Sequence, residues 1–228
     1  MLTDLEWSAI RLSLTVALRS VAISLPIAIA TAWILTRRRF RGRAVLDALV
    51  HLPLVLPPVV VGYGLLMLMG PRGPIGSVLA ERLGILLAFT PSGAALATAV
   101  MIFPLMVRTI RLSLESIDPG LDEAARTLGA GRIDRFFSIT LPLMAPGIVS
   151  GAIFAFAAGL GEFGAVITFV SNIPGQTQTL PLAMYTALQT PGGEQTAARL
   201  AMVAFLLALV GVFAAELVQH RLRARLGR

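Results

Sequence analysis

Five long apolar runs dominate the chain, at about residues 12–35, 45–69, 91–107, 145–170 and 198–218. As helices rising about 1.5 Å per residue, each is long enough to cross a hydrocarbon layer about 30 Å thick, the third only just. The runs are continuous rather than alternating, so the strands of a membrane barrel do not fit. Charged residues make up 14% of the chain, against about 25% in soluble domains. Too few polar groups remain to cover a water-facing surface. The expected fold class is an all-α integral membrane protein: one domain, residues 1–228, folded as a five-span helical bundle in a lipid bilayer.

The formal charge of +7 comes with nineteen arginines and no lysine. These cluster at the ends of apolar runs instead of forming a face with interleaved aromatics, so nucleic acid is not an expected partner. Residues 37–43 and 108–135 hold five arginines each and the tail 221–228 holds four, which puts 14 of 19 on one side if the chain alternates through five spans. Arg11, Arg72, Arg82 and Arg199 fall on the other side, and Arg19 within the first span. By the positive-inside rule the arginine-rich side is cytoplasmic, the N-terminus outside and the C-terminus inside. Asp4 and Glu6 before the first run, and Arg37-Arg38-Arg39 after it, fit a retained helix and not a cleaved signal. No further C-terminal domain is expected, since the chain stops ten residues after the last run. The tail from His220 to Arg228 reads as a topological anchor.

Parts for catalysis are missing. The chain has no cysteine, only His51 and His220, no phosphate-cradling glycine loop ending in Lys-Ser/Thr and no paired carboxylates in one segment. No catalytic residue, metal ligand or resident cofactor is expected. His51 is expected to have no acidic neighbour and to be a packed polar residue near the inner boundary.

Proline and glycine interrupt the runs: Pro53, Pro57 and Pro58 in the second, Pro104 in the third, and Gly159, Gly161 and Gly164 in the fourth. A proline removes a backbone hydrogen bond, and within lipid the freed carbonyl must find protein or a wet cavity. Such helices suit a transport path and also plain packing through small residues. Arg19 and Glu162 are charges in mid-span, each about 25 Å from the inner surface. An isolated charge there costs about 2.5–3.5 kcal/mol. They are expected to face the bundle interior at similar depth, where they could touch. Two readings stay open: with Gly161 and Gly164 they line a translocation path, or they tether helices, with Arg19 able to snorkel outward.

The segment 118–142 between the third and fourth runs is the most informative. Asp118 suits an N-cap with Pro119 at the first helical position, Asp122 and Glu123 favour the positive end of the helix dipole, and Gly129 suits a C-terminal stop. A second short helix with Ile133, Phe136, Phe137 and Leu141 on one stripe should end before Pro142. The result is a helix–turn–helix against the cytoplasmic ends of the bundle, with a polar, small-residue face left for a partner.

Glu123-Ala124-Ala125, three residues, Gly129, nine residues, then Ile139-x-Leu141-Pro142 resembles the signature loop of ATP-binding-cassette (ABC) importer permeases. The resemblance implies a type I importer permease fold, in which this loop is the coupling helix and docks in a groove of a separate cytosolic ATPase. Asp122, Glu123, Ala124, Ala125, Arg126, Thr127 and Gly129 would then lie at that contact, with Ile139, Leu141 and Pro142 anchoring the loop to the next span. Leu52-Pro-Leu-Val-Leu-Pro-Pro-Val-Val-Val-Gly-Tyr63, Phe103-Pro-Leu-Met-Val-Arg108, Gly161-Glu-Phe-Gly164 and Asn172 to Tyr185 resemble the molybdate permease family, with tungstate and sulfate permeases as alternatives. That family implies a bacterial inner-membrane homodimer, two ATPase subunits that hold ATP and Mg, and an extracytoplasmic molybdate-binding protein. An ATPase-independent channel or secondary transporter is the alternative of another class.

Overall fold

A computed structural model describes residues 2–38 and 40–225. Arg39 of the first arginine cluster and the end of the basic tail from residue 226 lie outside the described residues, as do the side chains of His220, Arg223 and Arg225.

The described residues are helical: α1 (Asp4–Arg37), α2 (Arg43–Val55), α3 (Pro58–Met69), α4 (Pro74–Leu83), α5 (Pro91–Glu115), α6 (Pro119–Thr127), α7 (Arg132–Arg135), α8 (Leu141–Leu160), α9 (Gly164–Val170), α10 (Leu180–Leu188) and α11 (Glu194–Arg225), with a π-turn over Phe136–Thr140. Asp4–Arg37, Pro91–Glu115, Arg132–Leu160 and Glu194–Val218 are long and apolar enough to cross a membrane. The second expected span is not one helix. Its halves α2 and α3 meet at 116°, because Pro58 has no N–H to donate and drives Pro57 into an extended conformation (φ −55°, ψ 134°). The fourth expected span is likewise divided, into α8 and the short α9.

Small residues let α1, α5 and α8 approach closely and form the centre. Ala28, Ala32 and Leu35 pack with Ile102, Met106, Ile110 and Met144, all almost fully buried. Without a hydrophobic drive between helices in lipid, such contacts rest on dispersion and on interhelical hydrogen bonds. Ser20 Oγ donates to Ala95 O at 2.7 Å and Ser24 Oγ to Ala99 O at 3.5 Å. This register makes α1 and α5 parallel. Their first turns therefore lie at one end of the bundle and their arginine-bearing ends at the other.

At the end away from the arginine clusters, α1 is fastened to α11. Thr3 and Glu6 form a capping box, and Glu6 Oε1 accepts from Arg199 Nη2 at 2.8 Å while Glu6 is 4% exposed. Removing the Glu6 carboxylate loses the bonds it accepts from Arg199 Nη2 and Thr3 N, at about 1–3 kcal/mol. Glu6→Ala is expected to lower the thermal midpoint of the purified protein, read by the fluorescence of Trp7 and Trp33. An unchanged midpoint would show that this tether contributes nothing to the fold.

Candidate functional site

Segment 118–142 folds as its capping residues dictate. Asp118 Oδ1 accepts from Gly120 N at 2.8 Å and opens α6. The helix stops in a Schellman arrangement: Ala130 N donates to Ala125 O at 3.0 Å and Gly129 N to Arg126 O at 3.1 Å. Gly129 has φ +86°, in the left-handed region where an L side chain is strained. No residue of α6 is buried. Glu123, Ala124, Arg126, Thr127 and Gly129 are exposed, Asp122 and Ala125 are half-buried, and Leu128 just beyond is 88% exposed. One short helix is thus held out from the bundle with its small residues uncovered.

The second half departs from expectation. No short helix ends before Pro142; Arg132–Leu160 runs on as one 29-residue helix. The π-turn makes this possible. Leu141 N donates to Phe136 O, five residues back, and the wider turn removes the clash that Pro142 would cause in a regular ladder. Ile139 and Leu141 are half-buried and Pro142 is exposed on this continuous helix. Arg135 Nε lies 3.2 Å from Asp122 Oδ1, which joins α6 to the start of the long helix.

At the far end of that helix, Gly161, Glu162 and Phe163 form the break. Glu162 Oε1 accepts from Ala165 N at 2.9 Å and caps α9. The break sits against the α2–α3 bend. A Cβ on Gly164 would lie 2.7 Å from Pro58 Cβ, and one on Gly62 would lie 2.5 Å from Ala165 O. Both discontinuities thus share one crossing that only glycine fits. The segments 161–164 and 172–185 also converge. Phe163 and Tyr185 stack at 5.2 Å, and Asn172 donates to Thr186 Oγ1 at 2.8 Å while accepting from Gln178 at 2.9 Å.

Arg19 does not join this group. Among the described residues no ion pair links it to Glu162. It lines, with Arg11, Thr15, Thr90 and Gln176, an open cavity of about 760 Å³. Ser13, Ala17, Ser20 and Ser24 take the core face of α1, and Arg19, one residue before Ser20, is turned about 100° from it.

His51 does have an acidic neighbour. Its Nδ1 lies 3.2 Å from Asp47 Oδ1 and 2.8 Å from Asp47 O, and Arg111 spans Asp47 at 3.1 Å and Glu115 at 2.8 Å. This network ties α2 to α5. Two of its links are i,i+4 pairs on helices, a spacing visible in the sequence. Among the described residues no group of three or more His, Asp or Glu side chains is placed to hold a metal.

The family profile described as binding-protein-dependent transport system inner membrane component matches residues 22–226. The chain is 58% identical over 227 residues to the molybdenum transport system permease protein ModB of Escherichia coli (strain K12), covering 100% of this chain and 99% of that protein. Identity to the Haemophilus influenzae protein of the same name is 52% over 224 residues, 98% of each chain. A solved bacterial ABC transporter involved in the import of the acidic polysaccharide alginate superposes with a TM-score of 0.78 at 18% identity, over 96% of this chain and 80% of that one. The last is a likeness of fold alone.

Proposed function

The chain belongs to the family of binding-protein-dependent transport system inner membrane components, and from that membership we propose that it is the membrane-spanning permease subunit of an ATP-driven molybdate importer. It is a multi-pass protein of the bacterial inner membrane and a transport subunit, not an enzyme; ATP hydrolysis belongs to a separate chain. The observation that carries the reading is α6, a helix with no buried residue, bearing Glu123-Ala124-Ala125 and closed by Gly129, in a chain 58% identical over its whole length to a molybdenum permease.

The single domain crosses the membrane five times, α2 and α3 together making one crossing. The N-terminus is outside and the arginine-rich end inside, as charge placement favours. Two copies form the path, two cassette ATPases carry ATP and Mg, and an extracytoplasmic protein delivers the anion. Force enters at α6. It passes through Asp122–Arg135 into Arg132–Leu160, which at about 1.5 Å per residue is a rigid lever about 43 Å long. The far end of the lever is joined to α9 through Gly161, Glu162 and Phe163, and α9 packs on α3 at the bend. Closing the ATPase pair would thus tilt the broken helices and switch the side to which the path opens. Gly161, Glu162 and Gly164 lie at that moving joint; Arg19 and Arg11 line the outer approach.

The test is uptake of radioactive molybdate into proteoliposomes holding the permease, the cassette ATPase and the anion-loaded binding protein. Uptake should require ATP, and equimolar tungstate should compete while sulfate does not. Sulfate competing as well as molybdate would assign the anion differently. Uptake without the ATPase would overturn the importer reading.

A further inference from the structure

We propose that a cavity at the arginine-rich end, between the last turn of α1 and the start of the long helix, is a seat for the phosphate of an anionic phospholipid. The cavity, about 490 Å³, is lined by Arg37, Arg38, Arg132 and Arg135 against a single carboxylate, Asp122. That carboxylate is engaged with Arg135 alone in the described ion pairs, and Arg135 Nε, though close to it, makes no hydrogen bond and is buried. Four arginines and one carboxylate give the cavity a net positive lining, which an anion would neutralise. The planar fork of arginine suits phosphate oxygens, which accept two parallel hydrogen bonds.

The rest of the lining selects a lipid over a soluble phosphate. Trp33 forms one wall, with the Arg38 guanidinium 5.2 Å from its ring; tryptophan favours the headgroup layer, where one side is apolar and the other wet. Ile133 and Phe137 line the same cavity and are 76% and 60% exposed, an apolar flank suited to the first carbons of an acyl chain. The site also stands where it must, between the last turn of a membrane helix and the first turns of another. Basic pockets at such positions recognise anionic headgroups. A lipid seated there would bridge α1 to the Asp122–Arg135 joint through which α6 is attached. This inference does not depend on which anion is transported.

The experiment is native mass spectrometry of the intact complex with its ATPase, released from nanodiscs containing equal phosphatidylglycerol and phosphatidylcholine. Retained lipid should be phosphatidylglycerol by about tenfold or more, and Arg37→Gln with Arg132→Gln should bring retention near parity. A second arm needs no variant: phosphatidylglycerol vesicles should raise the melting midpoint of the wild-type complex, while phosphatidylcholine vesicles and millimolar inorganic phosphate should not. Equal retention of both lipids, unchanged selectivity in the double variant, or stabilisation by inorganic phosphate alone would overturn the proposal. So would retention by the permease alone that vanishes in the complex, since the cavity would then belong to the ATPase interface.

Discussion

Gly129→Asp is expected to leave the protein inserted and folded while reducing ATP-dependent uptake and ATPase stimulation by about tenfold or more. The first half follows from the surroundings of Gly129: a Cβ there meets nothing within 4 Å, the residue is exposed, and α6 buries no side chain whose loss would unravel the bundle. Aspartate also tolerates positive φ better than most L residues, so backbone strain alone is a modest cost. The second half follows from docking. If the end of α6 sits in a groove of the ATPase, the new carboxylate is taken out of water without a partner, which costs about 2–5 kcal/mol. Gly129→Asn separates the terms, having similar shape and φ tolerance without the charge, and it should retain more uptake than the aspartate variant. Membrane yield, melting midpoint and uptake together check the result. Normal uptake by Gly129→Asp would mean that this end of α6 touches no partner.

The same residue shows where sequence was sufficient. The start and stop of α6 are encoded within a few positions: Asp118 bonds Gly120, and Gly129 closes the Schellman turn on Ala125 and Arg126. Such local bonds are readable because their partners are near in the chain. The apolar runs were legible for a similar reason, since crossing length and the scarcity of charge are properties of single segments. Proline predicted that the second span would break, but not that α3 beyond the bend would lie against α9, about a hundred residues away in sequence. The direction of Arg19 around α1 was not legible. Serines and alanines won the core face of α1, and Glu162 found its partner three residues away, at Ala165 N. Pro142 was misread because a π-turn, unlike a cap, leaves no composition that marks it. Asp47 and His51 stand four residues apart, and that spacing is the sequence signal of their contact.

The crossing of the two broken helices makes the sharpest stability forecast, because α3 carries its own control. Gly62 and Gly64 are two residues apart on one helix, yet their surroundings are opposite. A methyl on Gly62 would stand 2.5 Å from Ala165 O and 2.9 Å from both Ala165 Cα and Thr168 Cβ. Most of those atoms are backbone, which cannot rotate away, and α9 cannot yield because Val166, Phe169 and Val170 are fully buried. Overpacking of this kind costs about 1–3 kcal/mol or more, and relief requires α3 to lift from α9. A methyl on Gly64 meets nothing within 4 Å and replaces the poorest ordinary helix former with the best, a gain of up to about 1 kcal/mol. Gly62→Ala is therefore expected to lower the melting midpoint and abolish most uptake, whereas Gly64→Ala should match or exceed the wild-type midpoint. The contrast matters for mechanism as well as stability, since α9 passes force from Arg132–Leu160 to α3 only if the two stay in contact. Should both alanine variants melt and transport alike, the two breaks do not meet at Gly62, and the lever would have nothing to push.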